Sequence, residues 1–90
     1  MLVMVVETFL QPEPGPVFER FKNKGRMMPA GIEYLSSWIS QEGRVCYQLM
    51  EAASLEDLRP WVEAWDDIVK FEIVPVLRSQ DFWATASTAT

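Results

Sequence analysis

The ninety-residue chain has no histidine, a single cysteine, four glycines, and only eight lysines and arginines against thirteen acids. Each shortage removes a class of function. Without histidine there is no Cys-His or Ser-His-Asp arrangement, no usual zinc site and no His-ligated haem. One cysteine excludes an internal disulfide framework. Cys46 lies within an apolar strand pattern and has no histidine to activate it, so it is expected to be a small buried thiol rather than a nucleophile. The acidic balance, with a pI near 4.6, opposes any electrostatic grip on phosphate backbones or anionic lipid, so neither nucleic acid nor a membrane surface is expected as a partner. Uninterrupted apolar stretches are short as well. None approaches the ~18 residues needed to cross a bilayer, and Met1–Val6 lacks the basic leader and cleavage site of a signal peptide. A cytoplasmic protein is the expectation.

Ninety residues suffice for one small domain and are too few for two. Scaling laws leave about two-thirds of the unfolded surface of such a chain buried on folding. That margin is thin, and covering more apolar surface with a partner would widen it.

What the sequence does contain is apolar residues in runs separated by clear punctuation. Leu2–Phe9 is a β-branched strand, stopped by the turn-rich Gln11–Pro16. Pro16 suits a first helical turn, and Val17, Phe18, Phe21 and Met28 recur near helical spacing, so a first helix is expected to about Gly25 or Met28. Pro29 and Gly31 release a second strand, Ile32–Ser40, with Ile32, Tyr34 and Trp38 assigned to one face and Leu35 and Ile39 to the other. Gln41, Glu42 and Gly43 form a hairpin loop into a third strand, Arg44–Glu51.

Ser54 reads as an N-cap, with Leu58, Trp61, Val62 and Trp65 as the apolar stripe of a second helix. Pro60 should bend that helix or split off its first turn. The last strand is Val69–Leu77, in which Pro75 fits only an edge or a bulge. Gln80–Trp83 reads as a short docking helix, and Ala84–Thr90 as a disordered tail, so residues 1–78 form the domain and 79–90 the extension.

This order, β-α-β-β-α-β with right-handed crossovers, specifies an α+β ferredoxin-like sandwich: a four-stranded antiparallel sheet with both helices on one face. The other sheet face is apolar too, since Met4 and Val6 alternate with Val3 and Val5. Such a face marks an interface, and two-fold self-pairing into a homodimer is its commonest form.

The residues Met4, Val5, Val6, Glu7, Phe9, Glu19, Arg20, Phe21, Gly25, Arg26, Met27, Met28, Pro29 and Gly31, followed by Ser37, Trp38, Cys46, Gln48, Leu49, Met50, Glu51, Trp61, Trp65, Phe71, Glu72 and Pro75, resemble those of a family of short bacterial proteins, the domain of unknown function 3303 family. The likeness runs from Met1 to about Leu77. It implies the fold of the dimeric α/β-barrel group, whose members include cofactor-free monooxygenases, muconolactone-type isomerases and haem-binding proteins.

Three strand carboxylates are candidates for chemistry. Strands one and three are expected to be adjacent and parallel, so Glu7 and Glu51 should emerge at about the same height, and antiparallel strand four could bring Glu72 near. Clustered carboxylates raise one another's pKa, as a general acid or base requires. The competing structural reading pairs Arg20 or Arg26 with Glu7 or Glu51 to fix the first helix on the sheet. Three Glu without His or Asp at suitable spacing make a weak ligand set, so no metal and no cofactor is expected.

Trp38 and Tyr34 are candidate walls of a planar-ligand pocket, whereas Trp61 and Trp65, one turn apart, read as core. Gln48, among apolar neighbours, must find a polar partner, either a ligand or another chain. Two functions remain open. One is a non-enzymatic dimer that binds a small apolar or aromatic ligand. The other is a cofactor-independent monooxygenase or isomerase, with Glu7 or Glu51 and Arg26 as the acid-base pair. A ligand-sized cavity at these residues would keep the enzyme open, and a dry ion pair would close it.

Overall fold

In the computed structural model, which describes residues 1–88, a four-stranded antiparallel sheet is ordered β2-β3-β1-β4, with β1 Leu2–Phe9, β2 Glu33–Ile39, β3 Val45–Glu51 and β4 Val69–Val76. Helix α1 is Gly15–Lys24, α2 is Arg59–Trp65 after a 3-10 turn at Leu55–Leu58, and α3 is Ser79–Thr88. The α+β sandwich read from the punctuation is the architecture found. Both edges of the sheet are explicit: β2 is one, and β4, carrying Pro75, is the other, where a missing N–H leaves no ladder bond unmade.

The hairpin between β2 and β3 is set by local chemistry. Gly43 adopts φ 73°, its N–H donates to the Ser40 carbonyl at 2.8 Å, and the Ser40 N–H donates to the Val45 carbonyl at 2.8 Å. The Ser40 hydroxyl accepts from the Arg44 and Val45 N–H groups at 3.2 and 3.1 Å. Helix α1 stops at Lys24 because Gly25 turns to φ 67°, and its N–H closes on the Phe21 carbonyl at 2.7 Å. Pro60 does not bend α2. It sits in that helix's first turn, and the residues before it form the separate 3-10 turn. Ser54 holds the cap position there without a capping bond from its hydroxyl.

Alternation divides the sheet into two faces. Val3, Val5, Glu7 and Phe9 of β1 point toward the helices, with Cys46, Gln48 and Met50 of β3 beside them, while Leu2, Met4 and Val6 and Tyr47 and Leu49 occupy the open face. The buried core is one cluster between sheet and α2: Val3, Val5, Met50, Leu58, Trp61, Trp65 and Val69 form its centre. Trp61 meets Phe71 edge-on at 5.2 Å. Helix α1 contributes no buried residue to that core, and Phe18 and Phe21 remain 61% and 45% exposed. Of its apolar side Val17 alone, partly buried, packs against the core.

Three expectations are corrected. Strands β1 and β3 are adjacent but antiparallel, with Leu2 opposite Glu51 and Glu7 opposite Cys46, because the hairpin reverses the chain between β2 and β3. In β2 the register slips between Tyr34 and Ser36. The extra residue, Leu35, flips everything after it, so Tyr34 keeps the helix side with Ser37 and Ile39, and Trp38 faces out opposite Tyr47. Finally, α3 continues through Ala84 to Thr88, so that part of the expected tail is helical; residues 89–90 lie outside the described residues.

Candidate functional site

A cavity of about 350 Å³ lies between α1, α2 and the helix side of the sheet, within the range of small-molecule sites. Val17, Phe18 and Phe21 of α1 roof it, Trp61 and Trp65 of α2 form one side, and Phe9, Ile39 and Cys46 lie on its floor. Its polar end consists of Glu7, Gln48, Arg26 and Ser37. The walls are otherwise mainly apolar.

Strand pairing brings the polar end together. Glu7 and Gln48 both point to the helix side as a diagonal pair two positions apart along the β1–β3 ladder, Gln48 facing Val5 and Glu7 facing Cys46, and are 5% and 6% exposed. The Gln48 amide donates from Nε2 to Glu7 Oε2, and its Oε1 accepts from Arg26 Nε at 3.2 Å. Both ends of the amide are therefore committed, which fixes its orientation. Arg26 itself is held between two left-handed residues, Gly25 at φ 67° and Met27 at φ 58°. Its carbonyl accepts both indole N–H groups, from Trp61 and Trp65, each at 3.1 Å. Its guanidinium lies over the Tyr34 ring at 3.9 Å and the Phe21 ring at 5.3 Å. Thus α2 anchors the Arg26 backbone while the aromatic rings and Gln48 aim its side chain.

Burial pushes the Glu7 carboxyl up to about 7, an effect only partly offset by the Gln48 hydrogen bond and the Arg26 charge. Among the described residues no buried polar side-chain atom lacks a partner. Among the described residues Glu7 Oε2 takes the one hydrogen bond to that carboxyl, and Glu7 is among the residues lining the cavity. The Arg26 Nη atoms make no hydrogen bond among the described residues and are available to an acceptor. Across from Glu7, Cys46 is pushed up to about 11 by burial and by the Glu7 charge. Its thiol is thus neutral at physiological pH, and its side chain is buried, as its place in the strand suggests.

The other candidates are elsewhere. Glu51 is at the far end of β3 from Glu7, where its Oε1 takes the Met1 ammonium at 2.8 Å; antiparallel pairing separates the two carboxylates that a parallel arrangement would join. Glu72 pairs with Val6 and is exposed on the open face. Trp38, 54% exposed on that same face, is not a wall of the cavity. Tyr34 lies under Arg26, with its hydroxyl 2.6 Å from Ser37 Oγ. Arg20 meets neither Glu7 nor Glu51. It forks onto both carboxylate oxygens of Asp67 at 2.7 and 2.8 Å, donates to the Ala64 carbonyl at 3.0 Å and lies over Trp65, tying α1 to the end of α2. This pairing holds Asp67 below the usual carboxylate range.

Sequence reasoning missed Ser37, Ile39 and the α1 roof as lining residues, and Asp67 as the partner of Arg20. The helical spacing of Val17, Phe18 and Phe21 was the signal for the roof. Among the described residues no three His, Cys, Asp or Glu side chains converge as a metal site, and no helix is long and apolar enough to cross a membrane.

Comparison with protein-family models matches the whole chain, residues 1–90, to the domain of unknown function DUF3303. The protein belongs to that family, and the match extends past Leu77 to include α3. Neither the curated proteins nor the solved structures contain a match to this chain.

Proposed function

We propose that this domain binds a small, largely apolar molecule, aromatic or lactone-like, in the cavity beneath α1. The carrying observation is that α1 turns Val17, Phe18 and Phe21 toward a cavity, with Phe18 and Phe21 left largely exposed, while a buried carboxyl of pKa about 7 sits at the cavity's polar end. A ligand there would take the exposed rings of Phe18 and Phe21 out of water, which favours binding by about 25 cal/mol per Å² of apolar area. At ~30 Å³ per water-sized group, the space accepts on the order of ten non-hydrogen atoms. The polar end selects the ligand's orientation: Arg26 offers N–H donors to a carbonyl or phenolate oxygen, and Glu7 Oε1 accepts or donates a proton according to pH.

A second reading, a cofactor-independent isomerase or monooxygenase, is favoured by one feature. Near neutral pH Glu7 is present in both protonation states, as a general acid-base needs. In the isomerase form, Glu7 would take a proton from a carbon beside a carbonyl and return it to another carbon, while the Arg26 guanidinium stabilises the enolate oxygen. Glu51 has no part in this reading, being at the other end of the sheet. The same account has a cytoplasmic protein working as a homodimer joined through the open sheet face.

The test is a small-molecule screen read by NMR on labelled protein, using phenols and unsaturated lactones. Binders should shift the Trp61 and Trp65 indole N–H signals and the Gln48 side-chain amide together. Binders that leave all three signals in place would refute the site. Turnover of a lactone by the parent protein and not by Glu7→Gln would select the enzyme over simple binding.

A further inference from the structure

Helix α3 leaves the domain at the end of β4, where Val76 pairs with Leu2, the opposite end of the sheet from Glu7 and the cavity. Residues Ser79–Thr85 are all exposed, and Phe82 and Trp83, 50% and 65% exposed, meet edge-on at 5.1 Å and have no other ring contact among the described residues. The molecule is correspondingly long. Its principal extents are 50 × 30 × 17 Å and its radius of gyration is 15.0 Å, against about 12 Å for a compact chain of this length. A ten-residue helix is about 15 Å long, which accounts for much of the elongation.

The open sheet face presents a second unpartnered apolar surface. Met4 and Val6 are partly exposed there beside Tyr47, Trp38 and Val74, which are 40%, 54% and 37% exposed. The whole chain exposes 6191 Å², whereas a folded monomer of 10.4 kDa is expected to expose about 5,400 Å². The excess, about 800 Å², equals one partner's share of a standard protein interface.

We infer that α3 is an arm that packs, through the Phe82–Trp83 pair, on the open sheet face of a second copy of this chain. This rests on the reading of that face as a self-pairing surface and specifies what covers it. A two-fold arrangement makes the exchange reciprocal, each protomer giving one arm and receiving the other. The two stacked rings then serve as the aromatic anchor common at interface centres. Because the arm lies at the sheet end remote from Glu7, pairing leaves the cavity free.

The deciding experiment is sedimentation equilibrium of the full chain beside its Phe82→Ala/Trp83→Ala variant. Both substituted rings are exposed, so the variant should keep the fold, with unshifted Trp61 and Trp65 indole signals as its check. The parent should dimerise at micromolar concentration, and the variant's dissociation constant should rise at least about tenfold, the effect of losing one interface anchor. Isotope-filtered NOEs in a mixed labelled and unlabelled sample should join the Trp83 ring to Met4 and Val6 methyl groups across protomers. A parent that is monomeric at this concentration would overturn both the self-pairing face and the arm. A parent dimer whose dissociation constant is unchanged in the variant, or Trp83 NOEs found only within one protomer, would overturn the arm alone.

Discussion

Gln48 Nε2 donates to Glu7 Oε2 on the helix side of the central strand pair, and this bond joins the buried carboxyl to the rest of the fold. Through its other end the same amide accepts from Arg26, so acid and base communicate across an amide without forming a direct ion pair. A direct pair would hold Glu7 ionised. The intervening amide, with burial dominant, leaves the carboxyl near 7.

Stability should depend on pH through Glu7. Its carboxyl ordinarily titrates at 4.5 and in the fold at about 7, so between those values the folded state retains a proton that the unfolded state has lost. Glu7's contribution to stability is therefore fully present below about 4.5, falls by about 3 kcal/mol as pH rises to 7, and is flat above. In Glu7→Gln this loss disappears. Urea unfolding should find the variant more stable than the parent at pH 8, by up to about 3 kcal/mol, and similar near pH 4.5. A parent whose Glu7-dependent stability rises across this interval would contradict the buried carboxyl.

Gln48→Leu should destabilise by about 1–3 kcal/mol, because Glu7 and Arg26 both lose their partner. It should also move the Glu7 midpoint higher, since the Gln48 bond lowers it. Denaturant unfolding measures the first effect and a pH titration the second; a lowered Glu7 midpoint would show that Arg26 closes directly on the carboxyl once the amide is gone.

Cys46 should resist alkylation. With its thiol pushed to about 11 and its side chain buried, little thiolate exists at pH 8. Iodoacetamide should label the unfolded chain at least tenfold faster than the native one, as mass spectrometry would record. Equal rates would mean that the cavity floor is open and the thiol activated.

The legible parts of this fold were those coded locally. The β-branched run of β1, the Gly43 hairpin and Pro75 at an edge each state their structure in a few residues, and Gln48 betrayed itself as a polar group among apolar ones. The misplaced parts depend on choices without a local signature. One extra residue at Leu35 reverses every later side chain of β2, which put Trp38 on the wrong face. Assigning β1 and β3 the same direction moved Glu51 the length of the sheet toward Glu7. The spacing in α1 marked Val17, Phe18 and Phe21 as an inward side but could not say how far from the sheet that side would stand. Nor does anything near Arg20 announce Asp67, forty-seven residues on.

The central claim is that a cavity-facing carboxyl, held by Gln48 and half-ionised near neutrality, organises the ligand site. The most direct measurement is a carbon-13 NMR titration of the Glu7 side-chain carboxyl, assigned by its absence in Glu7→Gln. A midpoint near pH 7 is the expected result. A midpoint at or below the ordinary 4.5 would place Glu7 in water or in a closed ion pair with Arg26, and the account of the site would fail.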